Sequence, residues 1–532
     1  MNQLVKRSRT HIKPDLALTK KSLSASILAG LFALGATTSE AVHVSPDGVG
    51  QVLIYPYYTV RSPKGSATDK FDTYISISNK TDQTKAVKVR FREGRRGEEV
   101  LDFNLFLSPR DMWTGAVVLT PNGAMLISND KSCTVPNNLF ALKDPTAPLV
   151  WNQITLNVFK NYRIDGSTEA LDRTREGYFE VIEMGVVTDA TQKAAAAHTG
   201  AAGVPANCGL FQTLNMTLGT TLLPPAGGLF GRASLVSPTT GSNFTYDATA
   251  LAQWSDVVKY TADGHTEPQI TDASPPVSRV MTDQGVVQAT WAKPEDAVSA
   301  VLMHRELSNE FVLDSVTLSG TDWVVTFPTQ LAYVQPGYGK AKAPFQDNYK
   351  NGSCKNFNFR IFDREELKGA DPFIYPTLPP NVSSPTFCWA SNVISFQGKR
   401  QGIEFNSNLL GTANVFPFVP IYLSPFDNIN GFDGWLGGED ISRGFSKVQN
   451  GWGSISFDDS IYDFHNPRSL FPVDAKLLKL DGTVSKIKGT HYGLPVVGFM
   501  VHDYINGAVP GSSFGGLLNH KTSTEIDMTV VP

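Results

Sequence analysis

Charged residues are scarce in this sequence, and no stretch of it concentrates positive charge. Asp, Glu, Lys and Arg make up 18% of the 532 residues. The chain has 46 basic and 50 acidic side chains; the first 41 residues hold six and two of these, which leaves a net charge of −8 on the rest. Nucleic-acid binding needs a concentrated basic surface, so we expect no nucleic-acid partner. The densest basic group is predicted to be a solvated face of a hairpin turn and its strand: Arg90, Arg92, Arg95 and Arg96.

The spacing motifs of common enzyme and metal sites are also missing. The sequence has no C-x-x-C, no H-E-x-x-H, no phosphate-binding G-x-x-x-x-G-K-[ST] and no dinucleotide-binding G-x-G-x-x-G. One enzyme motif does occur, because Gly511–Gly515 fits the G-x-S-x-G turn of α/β-hydrolases. That fold needs an acid and then a histidine after the turn, whereas His520 precedes Asp527, so we interpret the motif as a glycine-rich turn. The isolated histidines are predicted to be ordinary packed or surface residues: His304, His465, His491 and His502.

Cysteine is rare, with four residues in the whole chain. Widely spaced cysteines in an exported protein usually form disulfides. Three pairings are open, and we favour Cys133–Cys208 with Cys354–Cys388, because each bond then closes a loop within one half of the chain. A zinc site is the alternative, although no C-x-x-C pair is present to begin one.

Long apolar runs are absent beyond the N-terminus, where one short run follows a basic stretch. The apolar segment Leu23–Ala36 comes after six Lys and Arg residues and ends at Ser39-Glu40-Ala41. This order is typical of a secretory signal peptide, so we predict residues 1–41 to be a signal cleaved near Ala41. A membrane anchor is the alternative, but the run is shorter than the roughly 20 residues that span a bilayer. The prediction is therefore a secreted, extracellular or cell-surface protein, or else a periplasmic one, with no transmembrane span after signal removal.

Glycine, proline and aromatic residues are plentiful, with 45 Gly, 33 Pro and 10% Phe, Trp and Tyr. Such a mixture favours many short strands and turns over long helices. Val87, Val89 and Phe91 alternate with Lys and Arg, a period of two that places one apolar face inward. With strands near 75–78 and 103–107, they predict one antiparallel sheet. The predicted fold class is mainly β: two β-sandwich (immunoglobulin-like) domains with a few short helices and long loops.

The predicted domain boundary is a segment rich in Pro, Asp, Thr and Ser. We assign residues 42–260 to an N-terminal β-sandwich domain, 261–285 to a linker and 286–532 to a C-terminal β-rich domain. The strand–turn–Trp pattern of Val100–Trp113 returns at Val312–Trp323. Either the two domains are duplicates, or the match reflects the small range of chemistry that hairpins use.

Two short helices are predicted beside the linker. Leu251, Trp254 and Val258 recur at helical spacing before it. After it, Pro294-Glu295-Asp296 is a typical helix start, followed by apolar residues at Val298 and Val301.

One glycine-rich segment of the C-terminal third offers oxygen ligands of the kind that suits calcium. Its spacing does not fit the EF-hand, and Asn, Asp and Gly also form turns that hold no metal. No other cofactor is expected. The weak calcium candidates are Asp427, Asn430, Asp433 and Glu439.

Aromatic residues cluster between Phe416 and Phe464. Aromatic rings beside Asn and Asp are what a carbohydrate-binding face needs, and they are also what a large sandwich core needs. We favour the core.

Several segments resemble a group of uncharacterised exported proteins of Gram-negative bacteria. The likeness is carried by Gly50–Tyr58, directly after the predicted signal, and by Val87–Asp111. Asp296–Pro328 and Asn450–Trp452 look similar as well. The resemblance implies export and assigns neither an activity nor a site residue.

We favour an exported, non-enzymatic surface, matrix or envelope protein that acts by binding or assembly, with a protein, a polysaccharide or another copy of itself as partner. The alternative is an extracellular carbohydrate-binding module or a carbohydrate-active enzyme whose site is dispersed in the sequence. An acid pair facing aromatic residues across a cleft would favour the alternative. Exposed strand edges on a convex surface would favour the first hypothesis.

Overall fold

The computed structural model describes residues 40–62, 70–120, 123–137, 139, 172–238, 241–314, 319–334, 343–345, 355–364, 386–400, 403–411, 418–422, 450–457, 468–505 and 513–531. The predicted signal peptide lies outside these ranges apart from its last two residues. The calcium candidates Asp427, Asn430, Asp433 and Glu439 also lie outside them, so the calcium site stays a prediction.

Short strands make up most of the described chain. In the N-terminal half they are β1 His43–Val44, β2 Val52–Thr59, β3 Asp72–Asn79, β4 Thr84–Glu93, β5 Glu99–Leu107, β6 Met112–Thr120, β7 Gly123–Ile127, β8 Cys133–Val135, β9 Glu176–Val187, β10 Leu222–Leu223, β11 Leu229–Ser237, β12 Ser242–Asp247 and β13 Thr249–Ala252.

The second half continues the series. Its strands are β14 Val277–Thr282, β15 Gly285–Thr290, β16 Met303–His304, β17 Glu306–Val312, β18 Gly320–Thr326, β19 Lys355–Asn356, β20 Asn358–Asp363, β21 Thr386–Phe387, β22 Ser391–Arg400, β23 Ile403–Asn406, β24 Phe418–Tyr422, β25 Asn450–Ser456, β26 Ser469–Leu470, β27 Asp474–Leu478, β28 Val484–Tyr492, β29 Leu494–Pro495, β30 Val497–Ile505, β31 Ser513–Asn519, β32 Lys521–Ser523 and β33 Glu525–Val530.

Helices in the described residues are short. The α-helices are α1 Ala190–Ala196, α2 Gly209–Leu214, α3 Pro294–Leu302 and α4 Gln330–Tyr333, and the 3₁₀ helices are Asp172–Arg175, Ala201–Gly203 and Leu218–Thr221.

The strands form five larger sheets. Sheet 1 has the order β1-β13-β2-β9-β4-β5-β8, with β10 on β9, and sheet 2 has the order β12-β11-β3-β6-β7. Sheet 3 is β14-β15-β27-β28-β26, with β33 on β28; sheet 4 is β20-β25-β17-β32; sheet 5 is β23-β22-β18-β30-β31, with β24 on β22. The protein is therefore mostly β, with several antiparallel sheets and few short helices, which confirms the predicted β-sandwich-type fold class.

Sheets 1 and 2 enclose the first hydrophobic core. Val87, Val89 and Phe91 are fully buried in it, as their period of two predicts. The Phe91 ring lies 4.8 Å from Phe179 of the neighbouring strand β9. Burying one such side chain stabilises the fold by roughly 1.5–3 kcal/mol, so these three residues contribute substantially to the stability of the core.

Strand β18 of sheet 5 is buried on both faces. Trp323 and Val325 pack into a second core that includes side chains of sheet 4, whereas Val324 packs into the first core. Tyr246 of sheet 2 stacks on Phe499 of sheet 5, with ring centroids 4.8 Å apart. A strand covered on both sides needs consecutive apolar residues, which explains the Trp-Val-Val run in β18. The first core thus contains side chains from both halves of the chain.

The predicted grouping of three early strands into one sheet is wrong in part. β4 and β5 do pair in sheet 1, but β3, which contains Ile75 and Ile77, lies in sheet 2. The connection Asn79–Asp82 therefore crosses between the sheets instead of closing a hairpin. Alternation fixes which side chains face the core, and both sheets share that core, so the pattern alone does not select the neighbouring strand.

The two strand–turn–Trp segments also cross between sheets. β5 lies in sheet 1 and β6 in sheet 2, while β17 lies in sheet 4 and β18 in sheet 5. In the first segment, the Ser108 N–H donates to the Asp111 carboxylate at 3.0 Å, as expected for a tight turn. Trp113 and Trp323 are both buried. The segments share their architecture, and the duplication of whole domains stays a prediction.

Only one of the two predicted helices forms. Helix α3 begins at Pro294 with Glu295 and Asp296 in its first turn, as the sequence predicts. Leu251 instead lies in strand β13, which pairs with β2. The Trp254 indole is buried and donates to the Ile270 carbonyl at 2.7 Å. Pairing at the edge of sheet 1 outweighs a helical pattern carried by three residues.

The predicted linker is packed against the sheets. Its end contains β14, which belongs to sheet 3. Residues 259–272, here called the strap, lie across the outer face of sheet 1. Lys88 Nζ donates to the Ala262 carbonyl at 3.1 Å, and Arg90 Nη1 donates to the Pro268 carbonyl at 2.8 Å. The assignment of the remaining residues to two domains stays a prediction.

The solvated face predicted for the arginines is wrong for Arg90 and Arg92. Both side chains are buried, because the strap and neighbouring carboxylates cover the outer face of sheet 1. Arg90 Nε lies 3.0 Å from Glu99, and Arg92 Nε donates to Glu180 at 2.7 Å. Arg95 and Arg96, in the following turn, are half-buried. A strand whose outer face is covered by another segment can have the same alternation of apolar and charged residues as a strand whose outer face meets water.

Further ion pairs are buried around the same sheet. Lys85 Nζ lies 2.7 Å from Glu183, and both side chains are fully buried. Glu183 also accepts the backbone N–H groups of Ala226 and Gly227. Buried charges of this kind are tolerated only when paired, and loss of one partner leaves an uncompensated charge.

The Cys133–Cys208 disulfide is present, as predicted. It joins β8 to the residue before helix α2, with the two Cα atoms 5.0 Å apart. Cys388 is also disulfide-bonded. Its predicted partner, Cys354, lies outside the described residues, so that pairing stays a prediction.

Candidate ligand-binding cleft

An open cleft of about 780 Å³ lies between sheets 4 and 5. Its volume falls within the roughly 300–1,000 Å³ typical of ligand sites. Strands β17 and β25 supply one wall, and β18 and β30 supply the other. The lining residues are Glu310, Phe311, Val312, Asp314, Ser319, Thr321, Arg364, Asn450, Gly451, Trp452, Met500, His502 and Tyr504.

Trp452 is the most unusual residue of the cleft. It is 44% exposed, whereas Trp113, Trp254 and Trp323 are buried in the cores. Phe362 on β20 lies directly opposite, and the two rings stack with centroids 4.2 Å apart and an interplanar angle of 14°. Directly opposite residues share a face of the sheet, so pairing of β20 with β25 fixes this aromatic stack.

Glu310 lies on the opposite side of Trp452 from Phe362. It is the cross-strand partner of Trp452 on β17 and is exposed. The Trp323 indole donates to the Glu310 carbonyl at 3.0 Å and holds the strand in place. The wall therefore presents a carboxylate next to an exposed aromatic face.

The opposite wall carries His502 and Tyr504 on β30. Their rings meet edge to face at 5.1 Å, and Tyr504 is 47% exposed. Gly516 lies opposite His502 on β31, and a Cβ at that position would be 2.6 Å from His502 Nε2. Glycine at 516 therefore leaves the space that the imidazole occupies.

The two walls are tied together by a hydrogen bond between their strands. The Val312 N–H of β17 donates to Thr321 Oγ1 of β18 at 2.9 Å. Asp314 and Ser319 form an isolated antiparallel bridge beyond it. These contacts fix the closed end of the cleft and the spacing of its walls.

The electrostatics of the cleft combine two carboxylates, Glu310 and Asp314, with the Arg364 guanidinium. Partial burial lowers the pKa of His502, while the nearby Glu310 carboxylate opposes that shift. The imidazole is therefore neutral at neutral pH. Asn450 adds an acceptor, since its Oδ1 is buried and has no hydrogen-bond partner among the described residues. The arrangement can hold a polar ligand by stacking and by accepting its hydrogen bonds.

The sequence predicts few of the residues that line this cleft. Trp452 belongs to the aromatic group that is predicted to form core. That prediction is wrong for Trp452, which is exposed, and right for Phe457, which is buried. Most of the other aromatic residues of that group lie outside the described residues. Glu310 and His502 were missed, because single charged or ring residues on strands carry no spacing signal. The one available signal was Trp452 between Gly451 and Gly453, a large ring with little beside it to bury it.

The last three residues of the hydrolase-like motif, Ser513–Gly515, lie in a strand. Ser513 begins β31, which pairs antiparallel with β30. The nucleophile turn of α/β-hydrolases instead requires a helix after the serine. The interpretation of Gly511–Gly515 as a glycine-rich turn is therefore wrong for Ser513–Gly515, which pair with β30, whereas Gly511 and Ser512 lie outside the described residues.

The described part of the chain contains no group of three or more His, Cys, Asp or Glu side chains placed to hold a metal ion. In the same residues, no helix has the length and apolarity needed to cross a membrane. No protein-family model, curated protein or solved structure matches the chain. The cleft is accordingly interpreted from its own chemistry.

Proposed function

We propose that this is an exported, non-enzymatic protein of the cell surface, matrix or envelope, and that it acts by binding a polar ligand in the cleft between sheets 4 and 5. The observation that carries the proposal is the exposed Trp452, stacked on Phe362 beside the Glu310 carboxylate. Exposure of a large ring in a concave site that also has charged groups favours a binding surface over a packing role.

Export is supported by two features. The N-terminal order of basic, apolar and small residues is that of a signal peptide. The Cys133–Cys208 disulfide is compatible with an extracellular or periplasmic protein.

N-terminal sequencing of the exported protein tests the first half of the proposal. We expect a mature chain that begins near Val42, recovered from the medium, the cell surface or the periplasm. A chain that retains Met1 and stays in the cytoplasm would contradict export.

Retention on cell envelopes tests the binding half. We expect the fluorescently labelled mature chain to be retained on washed Gram-negative envelopes, and Glu310→Gln to weaken retention at least fivefold, because it replaces a charge-assisted acceptor with a neutral one. Asp481→Asn is the matched control, since Asp481 is exposed in a turn of sheet 3, outside the cleft. Equal retention of both variants and wild type would contradict a role for the cleft.

A further inference from the structure

We infer that the ligand of the cleft is a neutral polysaccharide, with one pyranose ring stacked on Trp452. This inference rests on the proposed function and names its ligand class. It depends on three independent properties of the site: the aromatic surface, the hydrogen-bonding groups around it, and the balance of charge.

The aromatic surface has the shape that a sugar ring needs. Trp452 and Phe362 are nearly parallel, so Phe362 supports one face of the indole while much of the Trp452 side chain stays open to the cleft. A pyranose presents a flat face of C–H bonds, and the negative face of an aromatic ring attracts such polarised hydrogens. A wholly apolar ligand is disfavoured, because it would desolvate the charged groups beside the ring without replacing their hydrogen bonds.

The polar groups beside the ring match hydroxyl donors. Glu310 is the cross-strand neighbour of Trp452 and accepts charge-assisted hydrogen bonds. Asn450, two residues before Trp452, has a buried Oδ1 with no hydrogen-bond partner among the described residues. An unpaired buried acceptor is unfavourable, and a hydrogen bond from a ligand hydroxyl would satisfy it.

The balance of charge favours a neutral polymer over an acidic one. Glu310 and Asp314 contribute two negative charges, and Arg364 contributes one positive charge. Burial lowers the pKa of His502 and so favours its uncharged form, against the opposing effect of Glu310. A polyanion would therefore meet net repulsion in the cleft, whereas a neutral chain would not.

Affinity electrophoresis of the folded mature chain tests the inference. The probes are soluble β-glucan, dextran, galactomannan and xylan, with alginate as the acidic polymer. We expect at least one neutral polymer to retard the protein, and Trp452→Ala to weaken that binding at least tenfold. Trp452→Tyr should retain part of the affinity, because it keeps an aromatic face. Phe471→Ala is the matched control, since Phe471 is 68% exposed and lies outside the cleft.

The outcomes separate the inference from the proposed function. If no neutral polymer binds while envelope retention still depends on Glu310, the ligand class is wrong and the cleft remains a binding site. If retention is also independent of Glu310, both proposals fail. Binding of alginate alone overturns the neutral class. Release of reducing ends that Glu310→Gln abolishes overturns the non-enzymatic role. A thermal unfolding midpoint for Trp452→Ala equal to wild type excludes misfolding as the cause of lost binding.

Discussion

Removing one partner of the Arg92–Glu180 ion pair is expected to lower the free energy of unfolding by about 3–5 kcal/mol. The pair is almost fully buried, with side-chain exposures of 6% and 1%. Glu180→Gln would leave the Arg92 guanidinium without its carboxylate, and Arg92→Met would leave the carboxylate without its guanidinium. An unpaired charge in this environment keeps its full desolvation cost. Urea denaturation of each variant measures the effect.

A double variant shows that the cost comes from the unpaired charge. Arg92→Met with Glu180→Leu removes both charges, and we expect it to be more stable than either single variant. The exposed pair Arg232–Asp247 is the matched control, because it is also a cross-strand arginine–carboxylate pair but is 66% and 68% exposed. Breaking it should cost less than about 1 kcal/mol. A loss at Arg92–Glu180 no larger than at Arg232–Asp247 would show that the outer face of sheet 1 is solvated after all.

Loss of the Cys133–Cys208 disulfide is the second large effect. The bond closes a loop with a sequence separation of 75. In the chain-entropy model, closing a loop of that length stabilises the folded state by about 4 kcal/mol, through restriction of the unfolded chain. We expect the double variant Cys133→Ala/Cys208→Ala to lose a comparable free energy of unfolding, measured by urea denaturation under oxidising conditions.

Two further experiments check the interpretation of the disulfide variant. Adding a reductant to the double variant should change its stability only through Cys388, which is also disulfide-bonded. Peptide mapping without reduction should recover Cys133 linked to Cys208 and, as the sequence predicts, Cys354 linked to Cys388. A double variant as stable as wild type would contradict the bracing role of the first bond.

Strand positions were predictable because period-two alternation is local. Val87, Val89 and Phe91 face the first core as their spacing requires. The partner strand was not predictable for Ile75 and Ile77, since both sheets of a sandwich present the same alternation to the same core. The turn residues do not identify the partner strand either. The Asn79 side chain accepts the Thr81 N–H, and this contact is compatible with a loop between two sheets as well as with a hairpin.

The buried arginines show a second limit. Lys88, Arg90 and Arg92 alternate with apolar residues, which is also the pattern of a strand with one face in water. The strap that covers Lys88 and Arg90 is more than 150 residues away in sequence, and it contacts them through backbone carbonyls. Hydrogen bonds to backbone carbonyls do not depend on the side chains of the strap, so its sequence does not indicate them. Burial of this face therefore follows only from the tertiary structure.

The cleft illustrates the same point for function. Glu310, Trp452 and Phe362 come from three separate parts of the sequence and meet because β17, β25 and β20 are neighbours in sheet 4. The sequence criterion for a carbohydrate site was an acid pair facing aromatic residues across a cleft. Glu310 and Asp314 line one cleft with Trp452 and Tyr504, but Glu310 and Trp452 share one wall, so the carbohydrate alternative stays a prediction.

Hydrogen–deuterium exchange with a bound neutral polysaccharide tests the central claim most directly. The claim is that the cleft between sheets 4 and 5 is the ligand-binding site. At a saturating concentration of the soluble neutral polymer that retards the protein most, we expect slower exchange in β25 and β17, with no change in β28 of sheet 3. Unchanged exchange in β25 and β17 at saturation, or protection confined to sheet 3, would contradict the claim.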